Sequence, residues 1–217
     1  VSIPNGSQDL VITNVPFVRD LRVFDKEESD LSKRFTQIQD FCIAKNIRKL
    51  REGGLGIFIA GKSSLDSSKD LRKWIVKEGN CDVVGAFRLN KDTFNGTSAT
   101  ADIIVVKKRV NGVVSPNAID ILDVETVKVD EVEVDTTFNS KTRTWEPVTK
   151  RVALAYNQHY VQHPEDMGGE MALGKDEGDT RFGGGSSACY PRRNINQMQR
   201  LDDWIANMGK GESMMPA

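Results

Sequence analysis

The fold is decided near the start of the chain by residues 9–17, which read Asp9-Leu10-Val11-Ile12-Thr13-Asn14-Val15-Pro16-Phe17. The apolar run in this stretch is typical of a short β-strand. Pro16 has no amide hydrogen to donate to a strand ladder, so the strand ends and a loop begins there. Ligands of open α/β sheets bind beyond the carboxyl ends of the strands. The loop, which carries an amide, a proline and an aromatic ring, is therefore the first candidate site.

Downstream of this strand, strand and helix patterns alternate as far as residue 110. Apolar residues at three- and four-residue steps predict one helix of about five turns from Leu31 to Leu50, ended by Gly53-Gly54. The next elements predicted are a strand over 55–60, a helix from Ser67 or Ser68 to Gly79, a strand over 81–89, a polar loop over 90–100 and a strand over 101–106. This order predicts βαβ units in a mostly parallel sheet. The last connection has no helix, which favours an antiparallel hairpin at one edge.

After residue 110 the pattern changes. Alternating valines over 127–134 predict a strand with a break near Asp130-Glu131, and a turn at 139–141 precedes a partner strand over 142–153. We expect a short helix over 155–163, stopped by Pro164, then a glycine-rich loop over 167–192 and a terminal helix from Ile195 to Met208. The chain is thus divided into an α/β region (1–110), a β-hairpin and loop extension (111–192) and a C-terminal helix with its tail (193–217).

Composition excludes several classes of protein. The 217 residues carry 30 Lys and Arg against 31 Asp and Glu, a net charge of -1, which excludes a strongly basic coat for nucleic acid but not a local groove. No apolar stretch is long enough for a membrane-spanning helix, and we expect no signal peptide because no charged-then-apolar leader is visible. Three well-separated cysteines predict free thiols, and hence a cytoplasmic protein. Because the chain opens with Val1 close to a strand, we expect it to be a piece of a longer protein.

The loop at 14–17 suits an exocyclic amine on a flat base. The side-chain oxygen of Asn14 can accept one hydrogen bond from the amine, and a backbone carbonyl of Val15 or Pro16 can accept a second. Phe17 can stack on the ring. Two acceptors draw the nitrogen toward tetrahedral geometry and expose its lone pair to an electrophilic methyl group, so no strong base is needed.

The loop resembles the catalytic loop of amino-directed DNA methyltransferases, whose pattern is Asn/Asp-Pro-Pro-Phe/Tyr; Val15 stands where the common pattern has Pro. Two further stretches are similar to that family. Residues 51–59, Arg-Glu-Gly-Gly-Leu-Gly-Ile-Phe-Ile, resemble its helix end and fifth strand, and residues 94–106 resemble its hairpin into the last strand. The resemblance covers residues 9–109, and residues 150–210 resemble the tail of large methylase proteins, often with helicase parts, from mobile elements and phage.

The resemblance implies an α/β fold, the later half of a Rossmann-like S-adenosylmethionine-dependent methyltransferase sheet. It implies transfer of a methyl group from S-adenosylmethionine to N6 of an adenine flipped out of DNA, as in restriction-modification systems. Phe94 is then expected near the flipped base, and Lys62, just after a buried strand, is expected to line the pocket. The glycines at 53, 54, 56 and 183–185 do not follow a strand and open a helix, so no cofactor-binding residue is assigned. We expect the cofactor-binding half to be missing and the chain to be inactive alone.

Other interpretations stand beside these. The chain can instead be a non-catalytic binding or scaffold module that pairs with its missing half, with a second copy or with DNA. Phe94 can be a loop anchor, and Ser64 to Ser68 can be helix-capping residues. His159 and His163 lie four apart, but no third ligand is placed by the sequence, so no metal is predicted. A truncated sheet leaves an open edge, which predicts a dimer or oligomer.

Overall fold

The computed structural model describes residues 3–17, 25–91, 93–94, 99–173 and 187–208. Its main sheet has four strands in the order β1-β2-β4-β3, with bounds β1 Gln8–Asn14, β2 Leu50–Gly61, β3 Cys81–Arg88 and β4 Ala101–Lys108. Strands β1 and β2 are parallel, and β4 is antiparallel to both β2 and β3. Three strands therefore run in one direction, which confirms the α/β class.

The predicted antiparallel hairpin is present, but its second strand lies inside the sheet. β4 pairs with β2 on one side and β3 on the other, so β3 is the edge strand. β4 is apolar on both faces. Ile104 and Val106 are buried in the main core, and Val105 is buried on the opposite face of the sheet. Such a strand is stable where both faces of the sheet are covered.

The single long helix predicted over 31–50 is wrong. Two helices, α1 Ser29–Arg34 and α2 Ile38–Lys49, are separated by a break at which Phe35 and Gln37 have extended backbone angles. The break lets the Phe35 ring pack edge-on against Trp74, with 5.9 Å between ring centroids. The periodicity of apolar residues continues across the break because both helices pack on the same core.

The predicted end of that helix at Gly53-Gly54 is also wrong. α2 ends at Lys49, and β2 begins at Leu50 and runs through both glycines. Gly53 has φ of 75°, a backbone conformation that favours glycine. The pairing with β1 shifts there, from Gln8 opposite Leu50 to Leu10 opposite Leu55, so the glycines mark a bulge in the strand.

The helices before residue 80 cover one face of the sheet. α2 packs there together with α3 Ser63–Asp66 and α4 Lys69–Val76. Ser68 occupies the predicted cap position of α4, but its side chain makes no capping hydrogen bond. The core on this face includes Ile43, Ile47, Phe58, Leu65, Leu71, Trp74, Ile75, Ile104 and Val106, and also Cys81 with the partly buried Cys42. Each fully buried large apolar side chain contributes about 1.5–3 kcal/mol.

The opposite face is covered by the terminal helix. α6 Gln197–Met208 packs Trp204 and Met208 against Leu55, Val84 and Val105. Gly85 leaves room for this approach, because a Cβ atom there would lie 2.8 Å from the Met208 Cε atom and 3.0 Å from the Trp204 ring. Trp204 also stacks at a tilt on Phe87, with 5.6 Å between ring centroids. The terminal helix predicted from the sequence is confirmed.

A long two-stranded ribbon follows the sheet. β5 Val124–Asn139 pairs antiparallel with β6 Thr144–Asn157 through a turn at 140–143. The predicted hairpin is confirmed, but its irregularities fall between Thr126 and Lys128 and between Glu133 and Asp135, rather than at Asp130-Glu131. We refer to this unit as the ribbon.

The segment after the ribbon contains more structure than predicted. The expected helix starts later, as α5 Gln158–Gln162, because β6 continues to Asn157, whose side chain accepts a hydrogen bond from the His159 amide. A 3₁₀ turn, Pro164–Asp166, follows. The loop predicted over 167–192 is wrong in part, since β7 Glu170–Leu173 pairs with β8 Ser187–Tyr190. The glycines at 183–185 lie outside the described residues.

The longest described helices, α2 and α6, have 12 residues each. Within the part of the chain that the structure describes, no helix has the length and apolar character to cross a membrane.

Burial of Asp40 makes the stability of the fold depend on pH. Asp40 is buried in the first turn of α2, and its Oδ1 atom has no hydrogen-bond partner among the described residues. Burial raises the pKa of Asp40 to about 6, although a hydrogen bond from Ser68 and the charge of Arg72 act in the opposite direction. The folded state therefore binds this proton more tightly than the unfolded state, and the free energy of unfolding falls as pH rises from about 4 to about 6.

We expect Asp40→Asn to remove this fall and to raise the free energy of unfolding above pH 7 by up to about 3 kcal/mol. Urea denaturation between pH 4 and pH 8 measures it. Asp30→Asn is the control, because the Arg48 guanidinium lowers the pKa of Asp30 to about 2. Its contribution to stability therefore changes mainly below about pH 5 and in the opposite direction, since the unfolded state binds this proton more tightly. An unchanged pH slope in Asp40→Asn would contradict the prediction.

Candidate functional site

The carboxyl ends of three strands lie at one edge of the main sheet, which we call the carboxyl edge. β1 ends at Asn14, β2 at Gly61 and β3 at Arg88, and β4 begins there at Ala101. Cα pairing aligns these ends, with Asn14 opposite Ile59, Gly61 opposite Ala101 and Arg88 opposite Asp102. The segments that follow the three strands carry the residues predicted from sequence, so the topology brings Asn14, Lys62 and Phe94 to the same edge.

Asn14 is the last residue of β1 and its side chain is exposed. Its carboxamide makes no hydrogen bond to any residue that the structure describes. The backbone beyond it is fixed, because the Val15 amide donates a hydrogen bond to the Ile59 carbonyl at 2.9 Å. An exposed amide on a fixed backbone at a sheet edge can accept a hydrogen bond from a ligand without breaking an existing one.

Val15 and Pro16 have different environments. The Val15 side chain is buried in the main core beside Phe58 and Ala60, and it anchors the loop to the sheet. The side chain of Val15 therefore faces the core, which leaves its backbone carbonyl to contact a ligand, whereas Pro16 is exposed.

Two aromatic residues meet at the carboxyl edge. Phe17 and Phe94 are both half-buried and both pack against one apolar cluster, built around the buried residues Phe87, Leu89 and Ala101. Both rings were expected at one site, and the structure packs them against the same apolar cluster. A partly exposed ring with a fixed apolar backing can stack on a flat ligand.

Lys62 directly follows β2 and is half-buried. Its amide donates to the Thr100 carbonyl at 3.1 Å, and its ammonium nitrogen lies 3.1 Å from the Ser187 hydroxyl of β8. Lys62 thus connects the end of β2 to both β4 and β8. It lies at the predicted edge, with its charged group directed to a neighbouring strand.

Sequence reasoning missed a buried ionic cluster beneath this edge. Arg88 is fully buried, and its guanidinium forms two parallel hydrogen bonds with Asp102, at 2.8 and 2.9 Å. A third hydrogen bond joins Arg88 to Asp66 at 2.8 Å. The ring of Tyr160 lies under the guanidinium, with 4.3 Å from Cζ to the ring centroid. The signal that could have revealed the cluster is a single Arg in the apolar run 86–89 and a single Asp in the apolar run 101–106.

The cluster joins five elements. Asp66 also accepts a hydrogen bond from the amide of Asn157 at 3.0 Å, and the Asn157 carboxamide donates to the carbonyls of Leu65 and Ile121. Burial alone would lower the pKa of Arg88, but the adjoining carboxylates raise it well above its ordinary value, so the guanidinium stays charged. The cluster is a fixed floor for the carboxyl edge, linking β3, β4, α3, α5 and the start of the ribbon.

The two histidines that lie four positions apart, His159 and His163, each have a carboxylate partner. His159 Nε2 lies 2.9 Å from an oxygen of Asp166, and His163 Nδ1 lies 3.2 Å from an oxygen of Glu165. Among the described residues, no group of three His, Cys, Asp or Glu side chains is arranged to hold a metal ion.

Burial raises the pKa of the Cys81 thiol to about 12 and that of Cys189 to about 11, so neither is a reactive thiolate.

The described residues do not fit S-adenosylmethionine. A dinucleotide-type cradle requires a glycine-rich turn between the end of a strand and the start of a helix. The glycines at 53, 54 and 56 lie within β2 instead. Gly53 and Gly54 belong to the bulge, and Gly56 pairs with Val11 of β1 and Val106 of β4. No step of chemistry is therefore assigned to a cofactor held by these residues.

Comparison with known proteins finds a related phage sequence and several similar solved structures, two of which are described below. No protein-family profile matches the chain. The protein named Defense against restriction protein B, from Escherichia phage P1, is 34% identical over 115 residues, which is 50% of this chain. The chain spans about 5% of the length of that relative.

The solved structures are similar only at low scores. A modification subunit assigned to a type I restriction enzyme of Vibrio vulnificus YJ016 has a TM-score of 0.38 and 17% identity, covering 48% of this chain and 23% of its own. The M protein of the type I restriction enzyme EcoKI has a TM-score of 0.35 and 11% identity, covering 93% of this chain and 48% of its own. Both TM-scores are below 0.5, so the fold of this chain is described from its own strand order and not from these structures.

The ionic cluster generates a stability prediction. Arg88→Met leaves Asp102 buried without its cation, so we expect the free energy of unfolding to fall by about 3–5 kcal/mol in urea denaturation. The double substitution Arg88→Met/Asp102→Leu removes both charges and should recover much of that loss. Arg34→Met is the control, because its ion pair with Glu78 is at the surface and contributes at most about 1 kcal/mol. Equal losses at positions 34 and 88 would contradict the assignment.

Proposed function

We propose that this chain carries the base-binding catalytic loop of a DNA adenine-N6 methyltransferase. The observation that carries the proposal is the exposed, unengaged amide of Asn14 at the carboxyl edge, beside the cluster that holds Phe17 and Phe94. The proposal includes the fold, in which β1 to β4 correspond to the later half of a Rossmann-like methyltransferase sheet. The phage relative is named for defence against restriction, and we include that setting in the proposal.

Asn14 and the following backbone recognise the amino group of the base. The Asn14 oxygen accepts a hydrogen bond from one N–H of the adenine amine, and the carbonyl of Val15 or Pro16 accepts from the other. This pair of acceptors exposes the nitrogen lone pair on the side away from the sheet. The contribution of the protein is positioning, for which a fixed backbone is needed. The anchoring of Val15 in the core provides it.

The base must leave the duplex to reach this loop. Enzymes that modify a base inside DNA extrude it into a pocket and stack it on aromatic or apolar side chains. Phe17 provides such a ring next to Asn14, and Phe94 provides a second from the loop after β3. Both rings are backed by buried residues, so their positions are set before the base arrives.

S-adenosylmethionine supplies the electrophilic methyl group in reactions of this class. Because the described residues do not fit this cofactor, we expect another part of the parent protein to hold it, and we expect the chain alone to be inactive. Calorimetric titration of the chain with S-adenosylmethionine should accordingly show no binding. Micromolar binding would contradict this part of the proposal and would reveal a cofactor pocket in the chain itself.

The catalytic assignment is tested in the longer parent protein. We expect Asn14→Ala to lower the rate of methyl transfer to DNA about 100-fold or more, because one transition-state hydrogen bond is lost. Asn14→Asp should retain measurable activity, since a carboxylate still accepts the bond. Asn117→Ala removes an exposed amide from a turn and is the matched control. Mass spectrometry of the DNA identifies N6-methyladenine as the product. Full activity in Asn14→Ala, or methylation of another base, would contradict the proposal.

A second candidate function, that of a module that pairs with a partner chain, is favoured by β1. This strand is at the edge of the sheet, and Leu10 and Ile12 project from one face of it with 40% and 67% exposure. An open strand edge beside exposed apolar side chains promotes association. We therefore propose that the isolated chain forms a dimer or oligomer through β1.

Ile12→Lys should shift this association toward the monomer, because a charge at the edge opposes strand pairing. Light scattering over a range of protein concentrations measures it. Val113→Lys is the control, since Val113 is equally exposed but lies in the segment after β4. If the unsubstituted chain is a monomer at every concentration, self-association through β1 is excluded.

A further inference from the structure

The outer half of the ribbon extends away from the packed part of the chain. β5 has 16 residues, which corresponds to about 50 Å at the rise of a β-strand. Over 136–149, all residues are exposed except Asn139 and Glu146, which are half-buried. We call this segment the ribbon tip. No other layer that the structure describes covers the ribbon tip, so burial in a core does not account for the large apolar side chains on it.

Two large aromatic side chains lie on the ribbon tip. Phe138 and Trp145 are direct partners across the strands, with ring centroids 5.4 Å apart and planes at 60°. Trp145 is 69% exposed and Phe138 is 51% exposed. The pair stabilises the hairpin, but most of the surface of both rings faces solvent. Exposed aromatic pairs of this kind mark surfaces that bind.

The charges of the ribbon tip are arranged around this pair. Lys141 and Arg143 lie in the turn at 140–143 and are exposed, and neither forms an ion pair with a carboxylate among the described residues. The only acid over 136–149 is Glu146. It pairs with Thr137, one position from Phe138, so strand alternation places it on the face opposite the rings. There its carboxylate accepts a hydrogen bond from Asn139 at 2.7 Å.

The ribbon is rooted at the candidate site. Its first pair is Val124 with Asn157, and Asn157 is held by Asp66 in the same cluster that fixes Arg88 under the carboxyl edge. A ligand long enough to extend from the carboxyl edge can therefore also meet the ribbon. DNA is such a ligand, and a two-stranded ribbon has the width of its major groove.

We propose that the ribbon tip is a second contact with duplex DNA, in which Trp145 and Phe138 pack against bases and Lys141 and Arg143 bind phosphates. The proposal rests on the proposed function for the identity of the ligand. It is argued from two flat rings on one face of the ribbon tip, from two exposed cations in the adjoining turn and from the carboxylate of Glu146 on the opposite face. Apolar side chains contact bases in the major groove, and cations bind the phosphate backbone. The expected contribution is affinity and orientation of the DNA, with the chemistry left to the carboxyl edge.

The test measures binding of the full chain to a short labelled duplex by fluorescence anisotropy. Trp145→Ala should weaken binding about tenfold, and Trp145→Phe should keep most of the affinity, because a stacking ring remains. Lys141→Gln/Arg143→Gln should reduce the slope of log affinity against log salt concentration by about 2. Thr137→Ala, on the opposite face, is the matched control and should bind as the unsubstituted chain does. Circular dichroism confirms that each variant is folded.

Tryptophan emission provides an independent readout. Trp74 is buried and Trp204 packs on Phe87, so Trp145 is the tryptophan whose emission a bound base can quench most directly. Quenching by DNA should be present in the unsubstituted chain and lost in Trp145→Phe. Unchanged affinity and salt slope in the tip variants would overturn the proposal. The proposal would also be overturned if Trp145→Ala abolished self-association in the absence of DNA, because the ribbon tip would then bind a second copy of the chain.

Failure of this inference is distinguishable from failure of the proposed function. Binding is measured on the chain without methyl transfer, and the function is tested by Asn14→Ala in the parent protein. If the tip variants lose affinity while Asn14→Ala remains fully active, the ribbon binds DNA and the catalytic assignment is wrong. If Asn14→Ala is inactive and the tip variants bind normally, the catalytic assignment stands and the ribbon has another role.

Discussion

The structure depends on one buried cation. The Arg88 guanidinium lies where the end of β3, the start of β4, α3, α5 and the root of the ribbon come together, and it bonds Asp102 and Asp66. A buried charge is tolerated only when its hydrogen bonds are satisfied, so these elements are held in one arrangement. The fixed orientation of the carboxyl edge therefore comes from a polar interaction inside an apolar core.

The elements that the sequence predicted well are those whose apolar pattern is set by one local environment. β3 and β4 are short apolar runs buried on both faces, and α6 has an apolar stripe that faces the sheet. The loop at Asn14 was located because Pro16 ends a strand, and Phe94 was placed at the same edge by the resemblance. These features follow from residues within a few positions of each other.

The errors have a common physical origin in long-range contacts. The break between α1 and α2 depends on Phe35 reaching Trp74, and the entry of Gly53 into β2 depends on pairing with β1. β7 and β8 have four residues each, and each is a strand because it pairs with the other, although they are separated in the sequence. The Arg88 cluster joins residues from 66 to 160. No local pattern contains this information, and only the isolated charges at Arg88 and Asp102 gave a sign of it.

The position of β1 has a consequence for the dynamics of the candidate site. β1 pairs with a single neighbour, β2, through a register that joins residues more than 40 positions apart in the chain. A strand with one neighbour and a long closing loop forms late in folding and opens by local fluctuation before the centre of the sheet does. Asn14 stands at its end, so the order of the loop at 14–17 depends on a strand with one neighbour. A partner that paired with the outer edge of β1 would also slow amide hydrogen exchange in the loop at 14–17. Association at this edge would thus be coupled to the order of the loop.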